Sequence, residues 1–379
     1  MVLAANLRPA LTGVAPLIGE IRTDTGISYG MAGLLTTLPL LAFALLSPVA
    51  PLVARRFGME RVLLASLVVL TAGILLRWAE AVPVLFLGTA ILGAAIAVGN
   101  VLLPGLVKRE FPERAGLMTS VYSASLGISA ALAAGVSVPL AQLDGIGWRG
   151  ALAVWAVPAF LAAVVWLPQL NRSDRPADDV APDSPATLWR SPLAWQVTLF
   201  MGLQSLVYYV TLTWLPEVLQ DAGMDASGAG WMLGLSQAVA ILAMFLAPVM
   251  ADRRPSQRAV VAVAVGVSGA GILGLLLAGS TAAPLWVVFL GLGQGASFSL
   301  ALTFFALRAP DHEHAAVLSG MAQSVGYLLA AGGPFFFGVL RDATGSWTVP
   351  LALLLAVSGC LLIAGLGAAR DAHVGAPTR

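Results

Sequence analysis

The sequence predicts an all-helical integral membrane protein with twelve transmembrane helices arranged as two parallel six-helix repeats. Three observations lead there. Apolar residues make up 59% of the chain and charged residues 10%, whereas a soluble domain carries about a quarter charged residues. Apolar stretches of about 20 residues, the length that crosses a bilayer as a helix, recur from end to end. The polar residues between those stretches repeat in order from the first half to the second.

Hydropathy and polar punctuation mark spans at 1–21, 29–53, 61–80, 82–107, 115–141 and 148–169, then at 192–218, 228–250, 257–280, 283–307, 314–340 and 346–369. They must be helices. Lipid offers no partner for backbone donors and acceptors, and the segments are too long and uniformly apolar for barrel strands. The stretch Asn171 to Ser191 is the one long polar segment, rich in Pro, Asp and Ser, and reads as a solvated linker. The expected organisation is an N-terminal half at 1–170, a cytoplasmic linker at 171–191 and a C-terminal half at 192–379. The first apolar stretch begins at Met1 without the basic residues of a signal peptide, so the natural N-terminus is expected upstream.

Basic residues orient the bundle. With the N-terminus in the cytoplasm, fifteen arginines and lysines fall inside, among them Arg55, Arg56, Lys108, Arg109 and Arg253. Only Arg22, Arg77, Arg149 and Arg341 fall outside. The positive-inside rule then predicts a multi-pass protein of the plasma membrane with both termini cytoplasmic.

The repeat is carried by polar and small residues. A shift of 197 places Glu20, Asp24, Gly26 and Gly33 on Glu217, Asp221, Gly223 and Gly230, and Arg56 on Arg253. A shift of 198 places Asp144 and Gly147 on Asp342 and Gly345. Matched Ala and Leu arise by chance in apolar sequence; matched Glu, Asp, Gly and Arg in order do so poorly. Six helices separate the copies, so both have the same orientation, and a substrate path is expected between the halves near the midplane, opened by rocking.

The loop after the second span, Pro51-Leu-Val-Ala-Arg55-Arg56-Phe57-Gly58, and its copy Pro248-Val-Met-Ala-Asp252-Arg253-Arg254 resemble the G-x-x-x-D-R-x-G-R-[RK] loop of the major facilitator superfamily. The first copy has Arg55 where that family has Asp; the second loses the later Gly. The resemblance implies the major facilitator fold, a monomer, and cytoplasmic latching by Arg56, Asp252 and Arg253 when the protein is open outward. Two further stretches, Asn6-Leu-Arg8-Pro9-Ala-Leu-Thr12 and Gly99-Asn100-Val-Leu-Leu-Pro104, resemble the CynX/NimT branch, the cyanate and nitroimidazole permeases. That branch implies passage of a small anion or a small nitro-heterocycle, in either direction.

Arg8 is the one charge well inside a span. It lies 12 residues before Glu20, about 18 Å below the outer end at 1.5 Å per residue. No carboxylate lies at matching depth, so the expected partner of this costly guanidinium is an anionic or strongly polar substrate. The bland reading has Arg8 snorkelling to the cytoplasmic interface. Helical spacing adds a polar lining: Gln204, Tyr208 and Thr211 on one span, Gln323 and Tyr327 on another, Tyr122 with Ser125 and Ser129, Gln294 with Ser297, and Asn100 near Pro104. Asn6 joins the candidates beside Arg8. Each of these could equally hold helices together. Glu20 and Glu217 read as helix-end charges.

Other signals are weak. Gly291-Leu-Gly293-Gln-Gly295-Ala296 resembles a dinucleotide loop but lies inside an apolar span with no preceding strand, which favours packing. Asp311-His312-Glu313-His314 is one short loop with no distant partner ligand, so no metal is expected. There is no P-loop for ATP-driven pumping, no Ser-His-acid set for an enzyme, and no cofactor motif. A net charge of +1 gives no argument for nucleic acid, and the lone Cys360 excludes an internal disulfide. The expectation is a transporter of a small anion or polar solute, with export of neutral aromatic compounds as the alternative.

Overall fold

The computed structural model describes residues 2–172, 188–252, 256–310 and 312–374. Every regular element among them is helical. Twelve helices are long and apolar enough to cross a membrane: α1 (Val2–Thr25), α2 (Tyr29–Leu46), α3 (Met59–Leu76), α4 (Val82–Val107), α5 (Val121–Ala141), α6 (Gly147–Leu170), α7 (Pro192–Asp221), α8 (Ala226–Ala251), α9 (Arg258–Ala278), α10 (Ala283–Leu307), α11 (Val317–Thr344) and α12 (Thr348–Ala368). The end of the bundle where α1 and α7 begin is called here the basic end, and the opposite one the far end. Large apolar side chains such as Val263, Leu277, Phe336 and Ile363 are exposed, as a surface solvated by lipid requires.

Two spans depart from the expected outline. The second stops at Leu46, not near residue 53, and a separate short helix, Ala50–Phe57, follows it. Pro48 and Pro51 withhold the amides that would continue α2, so Arg55 and Arg56 ride on the separate helix. α1 is not continuous either. It runs as Val2–Asn6, Pro9–Thr12, a 3-10 turn at Ala15–Leu17 and Ile18–Thr25. Pro9 and Pro16 sit at the breaks and remove two helical donors.

The repeat is visible in backbone and contacts. Gly26 and Gly223 end α1 and α7 at φ of +70° and +91°, and Gly147 and Gly345 share φ of +58° and +66°; side chains rarely adopt this left-handed region. Asp24 pairs with Arg149 at 2.6 Å and Asp221 with Arg341 at 3.0 Å. Across the seam α2 packs on α11 and α5 on α8. Gly33 and Gly230, repeat mates, let those backbones meet: a Cβ at Gly33 would stand 2.7 Å from the Pro334 carbonyl carbon, and one at Gly230 2.9 Å from the Ala134 oxygen.

Polar contacts tie the halves at the far end and down to mid-depth. Asp342 accepts hydrogen bonds from the Tyr29 and Gly30 amides at 3.0 and 2.8 Å, capping the start of α2 from the end of α11. Thr37 donates to the Ala331 carbonyl at 2.7 Å and Thr213 meets Thr36 at 3.0 Å. Toward the basic end one face of α11 is open, where a Cβ on Gly320 would meet nothing within 4 Å.

Candidate functional site

The break in α1 sets the site. On either side of Arg8–Thr12 the amides of Leu7, Val14 and Leu17 bond three residues back, to Ala4, Leu11 and Val14, and not four, so the regular helix is interrupted there, and the Arg8 side chain reaches α7. Its Nη1 donates to the Tyr209 hydroxyl across the seam at 3.5 Å, a long hydrogen bond. The remaining guanidinium donors have no partner among the described residues and are not sealed in. Arg8 is half-buried. It neither snorkels to the interface nor finds a carboxylate.

Tyrosines lie near it. Tyr208, Tyr209 and Tyr327 all lie within electrostatic reach of Arg8, and so does Tyr122. The chain has five tyrosines, so four of them gather here, drawn from α5, α7 and α11. Tyr208 and Tyr209 stand edge to face with ring centroids 5.0 Å apart. Tyr327 stands edge to face with Phe43 of α2 at 5.8 Å. The Tyr208 hydroxyl and the Gln237 amide of α8 are 3.2–3.3 Å apart. Arg8, Tyr122, Tyr208 and Tyr327 keep accessible surface, while Tyr209 lies buried beneath them. A cation walled by phenol rings can bind a negative charge through the guanidinium and hold a planar solute by its faces.

The other candidates divide by where their amides go. Asn100 and Gln323 are half-buried. Asn100 has no side-chain partner among the described residues, and Gln323 donates to Ser319 on its own helix at 2.9 Å. Asn6 is buried and returns its amide to the Val2 carbonyl at 2.8 Å. Gln204 is buried, donating to the Met201 carbonyl and to Ser205. Gln294 is buried and donates to Thr211 of α7 at 3.0 Å, joining α10 to α7 within the C-terminal half. Gln294→Met is therefore expected to lower the melting temperature while leaving ligand affinity within about twofold of wild type, as measured by thermal shift and direct titration. The same α10 carries the glycine string 291–295, whose glycines press on backbone of α8 and α9. A small apolar cavity lies apart from Arg8, between Trp214, Leu290, Phe337 and Trp347.

Tyr209 and Gln237 were missed from the sequence. Gln204, Tyr208 and Thr211 mark one face of α7, but that helix is buried on nearly every side, so its neighbour Tyr209 also meets a polar partner. Periodicity has no contrast to read in such a helix.

A family model described as Major Facilitator Superfamily matches residues 8–334. The chain belongs to the major facilitator superfamily. Its similarity to the 2-nitroimidazole transporter of Escherichia coli is 46% identity over 99% of this chain and 95% of that one. The Cyanate transport protein CynX of the same organism is 29% identical over 96% of this chain and 94% of the other. The solved nucleoside transporter NupG superposes with a TM-score of 0.78 at 13% identity, covering 96% of this chain and 97% of that chain, a likeness of fold alone.

The loop charges occupy the basic end of this facilitator. Arg56 is exposed, with its guanidinium 5.5 Å from the Phe57 ring. Asp252 follows directly on α8 as the last residue of the helix Ala226–Asp252, and Arg253 lies outside the described residues. The His312 region begins the helix His312–Thr344, and no cluster of metal-ligating side chains is found among the described residues.

Proposed function

We propose that this facilitator moves a small anion or small polar solute, cyanate-like or nitroimidazole-like, across the bacterial inner membrane by alternating access, with Arg8 as the charge anchor. The observation that carries the reading is a half-buried guanidinium that meets Tyr209 across the seam, with three further tyrosines within electrostatic reach and no carboxylate partner among the described residues. A buried cation that no protein anion neutralises is complementary to a ligand that brings the negative charge. Asn100 and Gln323 are the neutral polar groups best placed to orient it, since their half-buried amides retain accessible surface.

The transport cycle follows from the seam. With both termini cytoplasmic, the far end faces outward, and the Asp342, Thr37 and Gly33 contacts seal the outer mouth while substrate exchanges from inside. Rocking breaks these contacts and lets Arg56, Asp252 and Arg253 latch the inner ends. The halves, 1–170 and 192–379, rock against one another, and one chain suffices, which makes the working unit a monomer.

A second reading, export of neutral aromatic compounds, draws on the phenol wall and on the greater identity to the 2-nitroimidazole transporter than to the cyanate protein. A thermal-shift panel on detergent-purified protein separates the two, because a ligand that binds the folded state raises the melting temperature by mass action. Cyanate, nitrate and acetate are tested beside 2-nitroimidazole, on wild type and Arg8→Gln. Stabilisation of wild type alone by an anion supports the anchor. Equal stabilisation of both proteins by the neutral heterocycle alone overturns it in favour of the exporter.

A further inference from the structure

We propose that Arg77 is a positioning residue for the Arg8 site, its guanidinium replacing the helical amide that the broken α1 withdraws from the Ala10 carbonyl. In a regular helix the Val14 amide bonds to Ala10. Here Val14 turns to Leu11 instead, at 3.4 Å, and the Ala10 oxygen is left inside the bundle. A buried carbonyl without a donor is costly in lipid. Arg77, the residue that caps α3, donates its Nη1 to that oxygen at 2.8 Å.

The direction of the side chain argues for a purpose beyond topology. An arginine at the end of a transmembrane helix ordinarily snorkels to the headgroups. Arg77 does the opposite: it turns inward and is 1% exposed. Gly88 of α4 makes room, since a Cβ there would stand 3.0 Å from the Arg77 Cγ. No carboxylate lies within ion-pair distance among the described residues, and Nε and Nη2 have no partner. Among the described residues, the one group that Arg77 serves by hydrogen bonding is the carbonyl two residues after Arg8. It never reaches the substrate; it fixes the bend that aims Arg8 across the seam.

This inference rests on the Arg8 reading, so the test includes a measurement that does not. Hydrogen exchange at the amides of residues 10–18 is followed without ligand in wild type, Arg77→Met, Arg77→Lys and Arg8→Gln, and cyanate affinity is titrated in parallel. Arg77→Met keeps the apolar stem and removes every donor; Arg77→Lys keeps one. Faster exchange over 10–18 with at least tenfold weaker cyanate binding in Arg77→Met, and values within about threefold of wild type in Arg77→Lys, are the expected results. Unchanged exchange in Arg77→Met overturns the proposal, and so does faster exchange with wild-type affinity, which would make Arg77 purely structural. If Arg77→Met is not recovered folded, Arg77→Lys decides alone: wild-type exchange and affinity uphold the single-donor role, and loss of either overturns it. A wild type that does not bind cyanate sinks the anion reading of Arg8 and leaves exchange to judge whether Arg77 shapes α1.

Discussion

Arg8→Gln is expected to weaken binding of a small anion by ten- to a hundredfold, and Arg8→Lys by about tenfold. Hydrogen bonds to charged groups contribute about 1.5–3 kcal/mol each, and every 1.4 kcal/mol is about tenfold in affinity. Gln removes the charge outright. Lys keeps it but replaces a planar fork, which can bond two acceptor atoms at once, with a compact point charge. Tyr209→Phe, which deletes only the 3.5 Å hydrogen bond to Arg8, is expected to change affinity less than about threefold. Titration of the purified proteins with cyanate checks all three. An Arg8→Gln protein that binds as wild type does would remove the basis for an anion anchor.

Gly33→Val is expected to leave the protein folded while reducing transport at least about tenfold, because the far end can no longer close. Its side chain would collide with the Pro334 backbone of α11, and backbone cannot swing aside as a flexible side chain can. Overpacking of this kind costs on the order of 1–3 kcal/mol. The cost falls on the closed far end and not on the open one, so the equilibrium between the two shifts by about ten- to a hundredfold. Gly230→Val, its repeat mate against α5, acts in the same direction. The measurement is thiol labelling from the far side. Cys360, exposed on α12, is first replaced by Ser, and a cysteine is placed at Thr36 in the seam. Faster labelling in the Gly33→Val background is the expected result; equal labelling with intact transport would refute the closure.

The fold was legible because the signals behind it are physical necessities. Apolar length and polar punctuation anticipated twelve spans, and the Asp and Gly repeat mates turn out to make like contacts, the Asp24 and Asp221 ion pairs and the left-handed caps at Gly26 and Gly223. Arg8 was legible for the same reason, since a charge inside an apolar span has few excuses. Its neighbours were harder. Tyr122, Tyr208 and Tyr327 were found by helical spacing, but Tyr209 was not, because α7 is buried on nearly all sides and no face stands out. Asn6, Gln204 and Gln294 look alike in sequence, yet each spends its amide on protein. That distinction depends on which carbonyl or hydroxyl lies 3 Å away, and composition holds no record of it. Arg77 counted in the sequence only as one of four outward arginines. Its inward turn follows from the break in α1, a tertiary event.

Four tyrosines near Arg8 and a fifth at the far end of the seam give this chain a natural readout. Tyr29 sits at the far end, under the Arg22 guanidinium at 3.2 Å from its ring centre and against Trp214 and Trp347. Fluorotyrosine incorporated throughout the protein would therefore yield a five-line fluorine NMR spectrum. Four lines would move when a solute settles beside Arg8, and the remaining one would move when the outer mouth parts. Occupancy and gating could then be timed against each other in a single sample, without a mutation or an attached dye.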